Sequence, residues 1–381
     1  MSSSLETETR EGLEGVVAAT TRLSSVDGEA GVLLIAGFPV EDLAPVASFE
    51  EVVYLLWNGA LPRPDELAAF ARRMAARRAL PGAALDLLRA AAGRRVPVMD
   101  ALRMAAGTLS LLPGTGEDAR EDGLLLVAAF PTIVASYWRL LNSEEPVEPR
   151  EDLGHAASFL HLLSGEEPAA ERARGVETYL NTVVDHGFNA STFTARVIVS
   201  TRSDLVSAVT GAVGALKGPL HGGAPGPALD MVFEIGSAER AEAVLRDKLA
   251  RGERLMGFGH RVYRVRDPRA DVLAEAAERF YKDKGDRGVY ELARAVEATA
   301  LRLLREHKPD RRIDTNVEFY TALLLHGLGL PTELFTPAFA IGRVAGWVAH
   351  GLEQLAHGRL IRPQSAYVGE RDRRWVPVEA R

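Results

Sequence analysis

Cysteine occurs nowhere in the 381 residues, which excludes disulfides, thiolate catalysis and cysteine-ligated metals. An excess of positive charge is missing as well. The formal net charge is -7 and the pI about 5.8, a balance that argues against generic nucleic-acid or membrane-surface binding. The opening MSSSLETETR has no basic segment followed by an apolar one; no secretory signal is visible, and the cytoplasm is the expected location. The most membrane-like run, LLLVAAFPTIVASYWRL over 124–140, contains Pro131, Ser136 and Arg139. It falls short of a comfortable bilayer span and predicts a buried core helix. No HExxH or comparable carboxylate–histidine pattern suggests a metal, and no Walker loop or strand-borne GxGxxG suggests a nucleotide. GxSxG is absent too, so a hydrolase elbow has no support. Repeats and low-complexity linkers are lacking.

What is present is ordinary globular composition, 47% hydrophobic and 25% charged, in a chain long enough for two domains. Strand-like patterning is confined to residues 11–40, where Val26-Asp27-Gly28 and Gly31 precede VLLIAGFPV and predict a small hairpin. Beyond it helical periodicity dominates. Helices are expected over 48–59, 65–79, 98–111, 152–163, 168–184, 189–201, 204–216, 228–235 and 239–251, then from 268 to about 306 with a break near Lys284-Gly285. Pro81-Gly82 punctuates the second of these, and 113–123 is a polar loop. Asp267-Pro268 and Thr336-Pro337 each look like an N-cap followed by proline at the first helical position. The fold class is all-α with at most one N-terminal hairpin.

The chemistry gathers around Gly-Phe-Gly-His-Arg-Val-Tyr, 257–263. From Arg251 to Arg269 six arginines face two acids, Glu253 and Asp267, a local excess of cations in an acidic protein. Arg269 falls in a helix's first turn, where the dipole repels a cation, so an anion is expected in front of it. Arg343 stands in a strongly apolar helix and needs a buried counter-charge. Three histidines, His186, His221 and His260, sit in glycine-rich backbone, and Glu318 heads an apolar helix. These are the groups for polarising carbonyls and moving a proton beside an anionic substrate. His155, His161, His307, His326 and His357 are expected to be surface or satisfied core residues.

The ordered stretches DHGFNASTFTARVIVST (185–201), LKGPLHGGA (216–224), MGFGHRVYRVRDPRA (256–270), TNVEFY (315–320), FAIGRVAGWVAH (339–350) and RLIRP (359–363) resemble citrate synthases of the shorter bacterial and archaeal kind. Similarity extends from Gly12-Leu13-Glu14-Gly15 to the terminus. The resemblance implies a helical homodimer with a large domain (1–223 and 329–381) and a small one (224–328) that closes over the cleft. It implies oxaloacetate and an acyl-CoA as substrates, with coenzyme A thioester as co-substrate and no permanently bound cofactor or metal. Residue by residue, His221 matches the histidine that stabilises the thioester enol, and His260 the one that polarises the oxaloacetate ketone. His186, Arg269 and Arg343 match substrate ligands, and Arg362 an arginine donated across the dimer interface. Ser191 matches the residue orienting His221. Leu255, Met256, Gly257, Phe258 and Gly259 match backbone that receives the adenine; Arg264, Arg311 and Arg312 lie where lysines often meet coenzyme A phosphates.

Two departures bear on activity. Glu318 stands where the family has its aspartate base, and Pro225-Gly226 replaces a common Asn-Glu beside the enol-stabilising histidine. Condensation of acetyl-CoA with oxaloacetate is therefore weighed against two alternatives. One is 2-methylcitrate or longer-chain alkylcitrate synthesis; the other is a catalytically weakened paralogue with a binding or regulatory role.

Overall fold

Apolar residues spaced for helices build almost the whole molecule. The computed structural model describes residues 11–222, 225–283 and 286–381. The opening MSSSLETETR, Gly223-Ala224 at the expected domain boundary and the expected break at Lys284-Gly285 lie outside the described residues. After a 3₁₀ turn at Glu11–Leu13 come β1 (Ser24–Asp27), β2 (Val32–Ile35) and β3 (Phe38–Pro39), an antiparallel sheet in that order. The expected hairpin is β1–β2, and the structure adds a two-residue third strand. Ala36 and Gly37 both have positive φ, 46° and 93°, the geometry of a tight two-residue turn. That turn returns Phe38 beside Ile35.

The helices follow: α1 (Val40–Leu43), α2 (Phe49–Asn58), α3 (Pro64–Ala75), α4 (Gly82–Ala92), α5 (Val98–Thr108), α6 (Ala119–Leu141), α7 (His155–Ser164), α8 (Ala170–Val183), α9 (Ala190–Ser200) and α10 (Leu205–Leu216). Next come α11 (Pro225–Ile235), α12 (Ala238–Ala250), α13 (Pro268–Asp283), α14 (Arg287–His307) and α15 (Val317–Gly327), which pack on one another. The chain then returns through α16 (Phe335–His357), which packs against α6, α8, α9 and α10. α6 is long and apolar enough to cross a bilayer by composition, yet it is the core helix here. Its residues from Asp122 to Tyr137 are buried, with α4, α5, α7 and α16 around it.

Side-chain caps set many boundaries. Ser48 and Glu51 form a reciprocal capping box on α2, which ends at Gly59 with φ 78°. Asp118, Asn189, Asp204, Asp286 and Asn316 cap α6, α9, α10, α14 and α15. The punctuation by Pro81-Gly82 holds: α3 ends at Ala75 before it, and Pro81 is the N-cap of α4, a helix not expected from the sequence. One expectation fails. Thr336 does not cap α16, because a 3₁₀ turn over Thr332–Leu334 runs directly into the helix at Phe335. Its hydroxyl donates instead to the Gly222 carbonyl at 2.7 Å, beside His221.

Candidate active site

Loops at helix ends carry the candidate side chains. His186 occupies the turn between α8 and α9, His221 the turn after α10, and His260 the loop before α13. Arg269 and Glu318 lie in the first turns of α13 and α15, and Arg343 within α16. An isolated antiparallel bridge pairs Phe258 with Thr315. Beside it Gly259 N–H donates to Asp314 O at 2.8 Å, Asn316 N–H to Gly257 O at 3.0 Å, and Asn316 Nδ2 to Gly259 O at 2.7 Å. Asn316 also accepts from Glu318 N–H at 3.0 Å, so one residue joins the His260 loop to the start of α15. Gly257 has φ 85°, and a Cβ there would stand 2.8 Å from that of Phe319. Only glycine lets this loop lie flat on α15.

His260 has a defined role as a donor. Its Nδ1 accepts from the backbone N–H groups of Val262 at 3.0 Å and Tyr263 at 3.1 Å. The proton of the neutral ring is therefore on Nε2. Burial, with Arg269 alongside, lowers its pKa to about 4, so the ring is neutral near pH 7. Nε2 lies 3.4 Å from Arg269 Nη2. Two donors that close do not bond to each other; an acceptor placed against both would engage each. His186 packs edge-on to His260 with ring centroids 5.8 Å apart, and its Nε2 lies 3.1 Å from the Tyr263 hydroxyl. Burial and the charges of Arg269 and Arg343 hold it neutral, well below the usual histidine value.

His221 Nε2 lies 2.8 Å from Ser191 Oγ. That oxygen accepts from Trp347 Nε1 at 3.0 Å and is also 2.8 Å from Asn189 Oδ1. A hydroxyl carries one hydrogen, so the choice between Asn189 and His221 decides which imidazole nitrogen holds the proton. Burial, reinforced by Arg343, lowers the His221 pKa to about 4.

The two candidate arginines, both buried, differ. Arg269 meets Asp267 in a fork, Nε to Oδ1 at 3.0 Å and Nη2 to Oδ2 at 2.8 Å. The anion expected before this cation is thus supplied by the chain's own helix cap. Arg343 is 1% exposed and forms no ion pair among the described residues. Its Nε donates to Val183 O at 2.6 Å, its guanidinium lies 4.7 Å from the Phe339 ring centroid, and its Nη2 has no partner among the described residues. The counter-charge expected for it is not in contact. Burial lowers its pKa only to about 10, which leaves it cationic. Glu318 is half-buried; burial raises its pKa to about 7, against the pull of Arg269.

Of the remaining candidates, Leu255 and Gly257 are buried, Met256, Phe258 and Gly259 half-buried, and Arg264, Arg311 and Arg312 exposed. Arg362 lies apart from the cluster, exposed, along a cavity of about 760 Å³ between the N-terminal segment and the end of α16. Several residues had no separate signal in the sequence. Tyr263 lies within the quoted stretch but was not distinguished there, and Asp185 and Trp347 likewise sit inside quoted stretches. Ser24 is another: its hydroxyl donates to Asp185 Oδ2 at 2.5 Å and accepts from Gly187 N–H at 2.8 Å. It ties the sheet to the His186 turn. His155, expected to be a surface or satisfied core residue, is fully buried on Phe49, with neither ring nitrogen partnered among the described residues.

Comparison with known proteins gives the same family from several directions. The model for the citrate synthase C-terminal domain matches residues 12–364. Citrate synthase of Haloferax volcanii is 43% identical, the alignment covering 98% of this chain and 99% of that one. A 2-methylcitrate synthase of Shewanella oneidensis is 39% identical over 97% of each. Among solved structures, citrate synthase of Thermoplasma acidophilum in ternary complex with carboxymethyl coenzyme A and oxaloacetate superposes with a TM-score of 0.87, at 31% identity, covering 98% of this chain and 99% of that one.

Proposed function

The chain belongs to the citrate synthase family, and from that membership we propose how its residues divide the work of condensing acetyl-CoA with oxaloacetate. Arg269 and Arg343 hold the oxaloacetate carboxylates; planar guanidinium groups match carboxylates two bonds at a time. His260 Nε2–H donates to the ketone oxygen and His186 fixes the keto acid's other side. Glu318, as carboxylate, takes a proton from the acyl methyl while His221 donates to the thioester oxygen. The resulting enol carbon attacks the polarised ketone carbon, whose oxygen receives a proton. Water then cleaves the thioester to give citrate and free coenzyme A. A base with pKa near 7 suits this task at neutral pH. Residues 255–259 with Arg264, Arg311 and Arg312 receive the coenzyme, and 224–328 closes as a small domain over the cleft. Arg362 enters the partner's site in a homodimer.

Arg343 carries this reading: a fully buried cation with an unpartnered Nη2 is a site prepared for an anion. Steady-state assays with oxaloacetate and acetyl-, propionyl- or longer acyl-CoAs, reading free thiol, test it. Turnover greatest with acetyl-CoA is expected. Preference for propionyl-CoA would favour the 2-methylcitrate reaction, the name of one relative. Oxaloacetate binding without thiol release would mark the weakened, regulatory protein.

A further inference from the structure

The face of α8 that meets Arg343 carries a second unsatisfied donor. Gly175, Tyr179 and Val183 are spaced four residues apart and share that face. At one end, a Cβ on Gly175 would press on Leu328, just after α15. At the other, Val183 O accepts from Arg343 Nε, and Val183 Cγ2 lies 2.8 Å from where a Cβ on Gly342 would be. Tyr179 lies between them on α8, which packs against α13, α15 and α16. It is 0% exposed, and its hydroxyl has no partner among the described residues. A buried tyrosine hydroxyl ordinarily finds a hydrogen-bond partner, because leaving it without one costs free energy. Burial raises its pKa above the usual tyrosine value, and the charges acting on it are those of Arg343, Arg269 and Glu318.

Two buried donors, Arg343 Nη2 and Tyr179 OH, thus lack acceptors where these elements meet, and one carboxylate can accept from both. We infer that Tyr179 is a further substrate-binding residue, whose hydroxyl donates to the same oxaloacetate carboxylate as Arg343. The inference rests on the assignment of oxaloacetate to Arg343.

Tyr179→Phe removes the hydroxyl and keeps the ring. Oxaloacetate affinity is measured by calorimetry, and thermal midpoints with and without oxaloacetate are measured in wild type and variant. Because the hydroxyl has no partner among the described residues, the variant's ligand-free midpoint is expected to equal or exceed that of wild type. Its Kd for oxaloacetate should rise roughly tenfold to a hundredfold, the effect of losing a hydrogen bond to a charged group. The midpoint increase caused by oxaloacetate should shrink with it. Unchanged affinity in the variant overturns the role of Tyr179 and leaves the proposed reaction standing. A weaker affinity that appears only with a lower ligand-free midpoint also overturns it, since packing then accounts for the loss. If wild type itself binds no oxaloacetate, both the function and this inference fall.

Discussion

In the proposed mechanism, Glu318 is the residue on which the chemistry depends most directly. Its carboxylate titrates near pH 7, so kcat/KM is expected to fall as pH drops below about 7, approaching tenfold per unit as the base becomes protonated. Glu318→Ala should abolish thiol release and leave oxaloacetate binding, measured by calorimetry, nearly intact. Glu318→Asp withdraws the carboxylate by one methylene. If the pocket is fitted to glutamate, turnover falls by up to ~10²-fold, the effect of a displacement on the order of 1 Å on proton abstraction. A rise in turnover would instead mark wild type as a degraded aspartate site. Arg343→Lys should weaken oxaloacetate binding far more than a surface Arg→Lys such as Arg251→Lys, because an ammonium cannot reproduce the planar fork. The sequence disclosed Arg343 because it broke a local rule, a cation in an apolar helix, whereas Glu318, an acid in a helix's first turn where the dipole favours it, stood out only through the family motif TNVEFY around it. It hid Arg269's partner, since Asp267 reads equally well as a plain helix cap and only the fold shows it doing both. His155 was hidden for the opposite reason. Nothing local marks a histidine that is simply enclosed. Its folded pKa of about 3 lies below the ordinary 6.5, so its contribution to stability is complete above about pH 6.5 and is lost as pH falls toward 3. His155→Phe should make the loss of stability on acidification shallower, by up to about 1.4 kcal/mol per pH unit, in denaturant titrations from pH 7 to 4.

Among the elements, the three-stranded sheet does more than its size suggests. Ser24 on β1 holds the turn bearing His186. At the other end of that strand, Gly28 O accepts from Arg264 N–H at 2.8 Å, and a Cβ on Gly28 would sit 2.2 Å from Val262 O. One hairpin therefore braces the His186 turn and the His260 loop against each other. Gly28→Ala should push the two apart, raising KM for oxaloacetate and costing about 1–3 kcal/mol of stability from overpacking. Gly82→Ala, at the start of α4 with open space around the added methyl, is the control and should leave KM unchanged with no loss of stability. The strands were legible from turn residues and alternation, whereas their bracing role depends on contacts with residues more than 150 positions away. Helices were legible from a capping side chain before an apolar stripe at Ser48, Asn189 and Asp204, but not at Asp118, where α6 begins at Ala119 inside the stretch expected to be a polar loop, 113–123. The failure at Thr336 and the unexpected start of α4 after Pro81 share a cause. Proline and threonine before a helix also suit a turn or a tertiary hydrogen bond, and sequence alone does not rank those uses.

For the whole molecule, the proposed homodimer is what would bring Arg362 to the site. Arg362 lies away from the His260–Arg269 cluster within its own chain, so sedimentation at micromolar concentration is expected to give about twice the 41.2 kDa chain mass. A fully active monomer would remove Arg362 from the mechanism. Burial at this scale has an order in time as well as in space. α6, the most apolar long helix, is covered partly by α4, α5 and α7 but also by α16, which begins nearly two hundred residues later. At typical synthesis rates of about 5–20 residues per second that interval is roughly 10–40 s. For all of it, the nascent chain presents the α16-facing side of this greasy rod to chaperones and membrane-insertion machinery. Premature termination before Phe335 would leave that side uncovered for good, so truncated products of this protein should be captured or degraded where the full-length chain escapes.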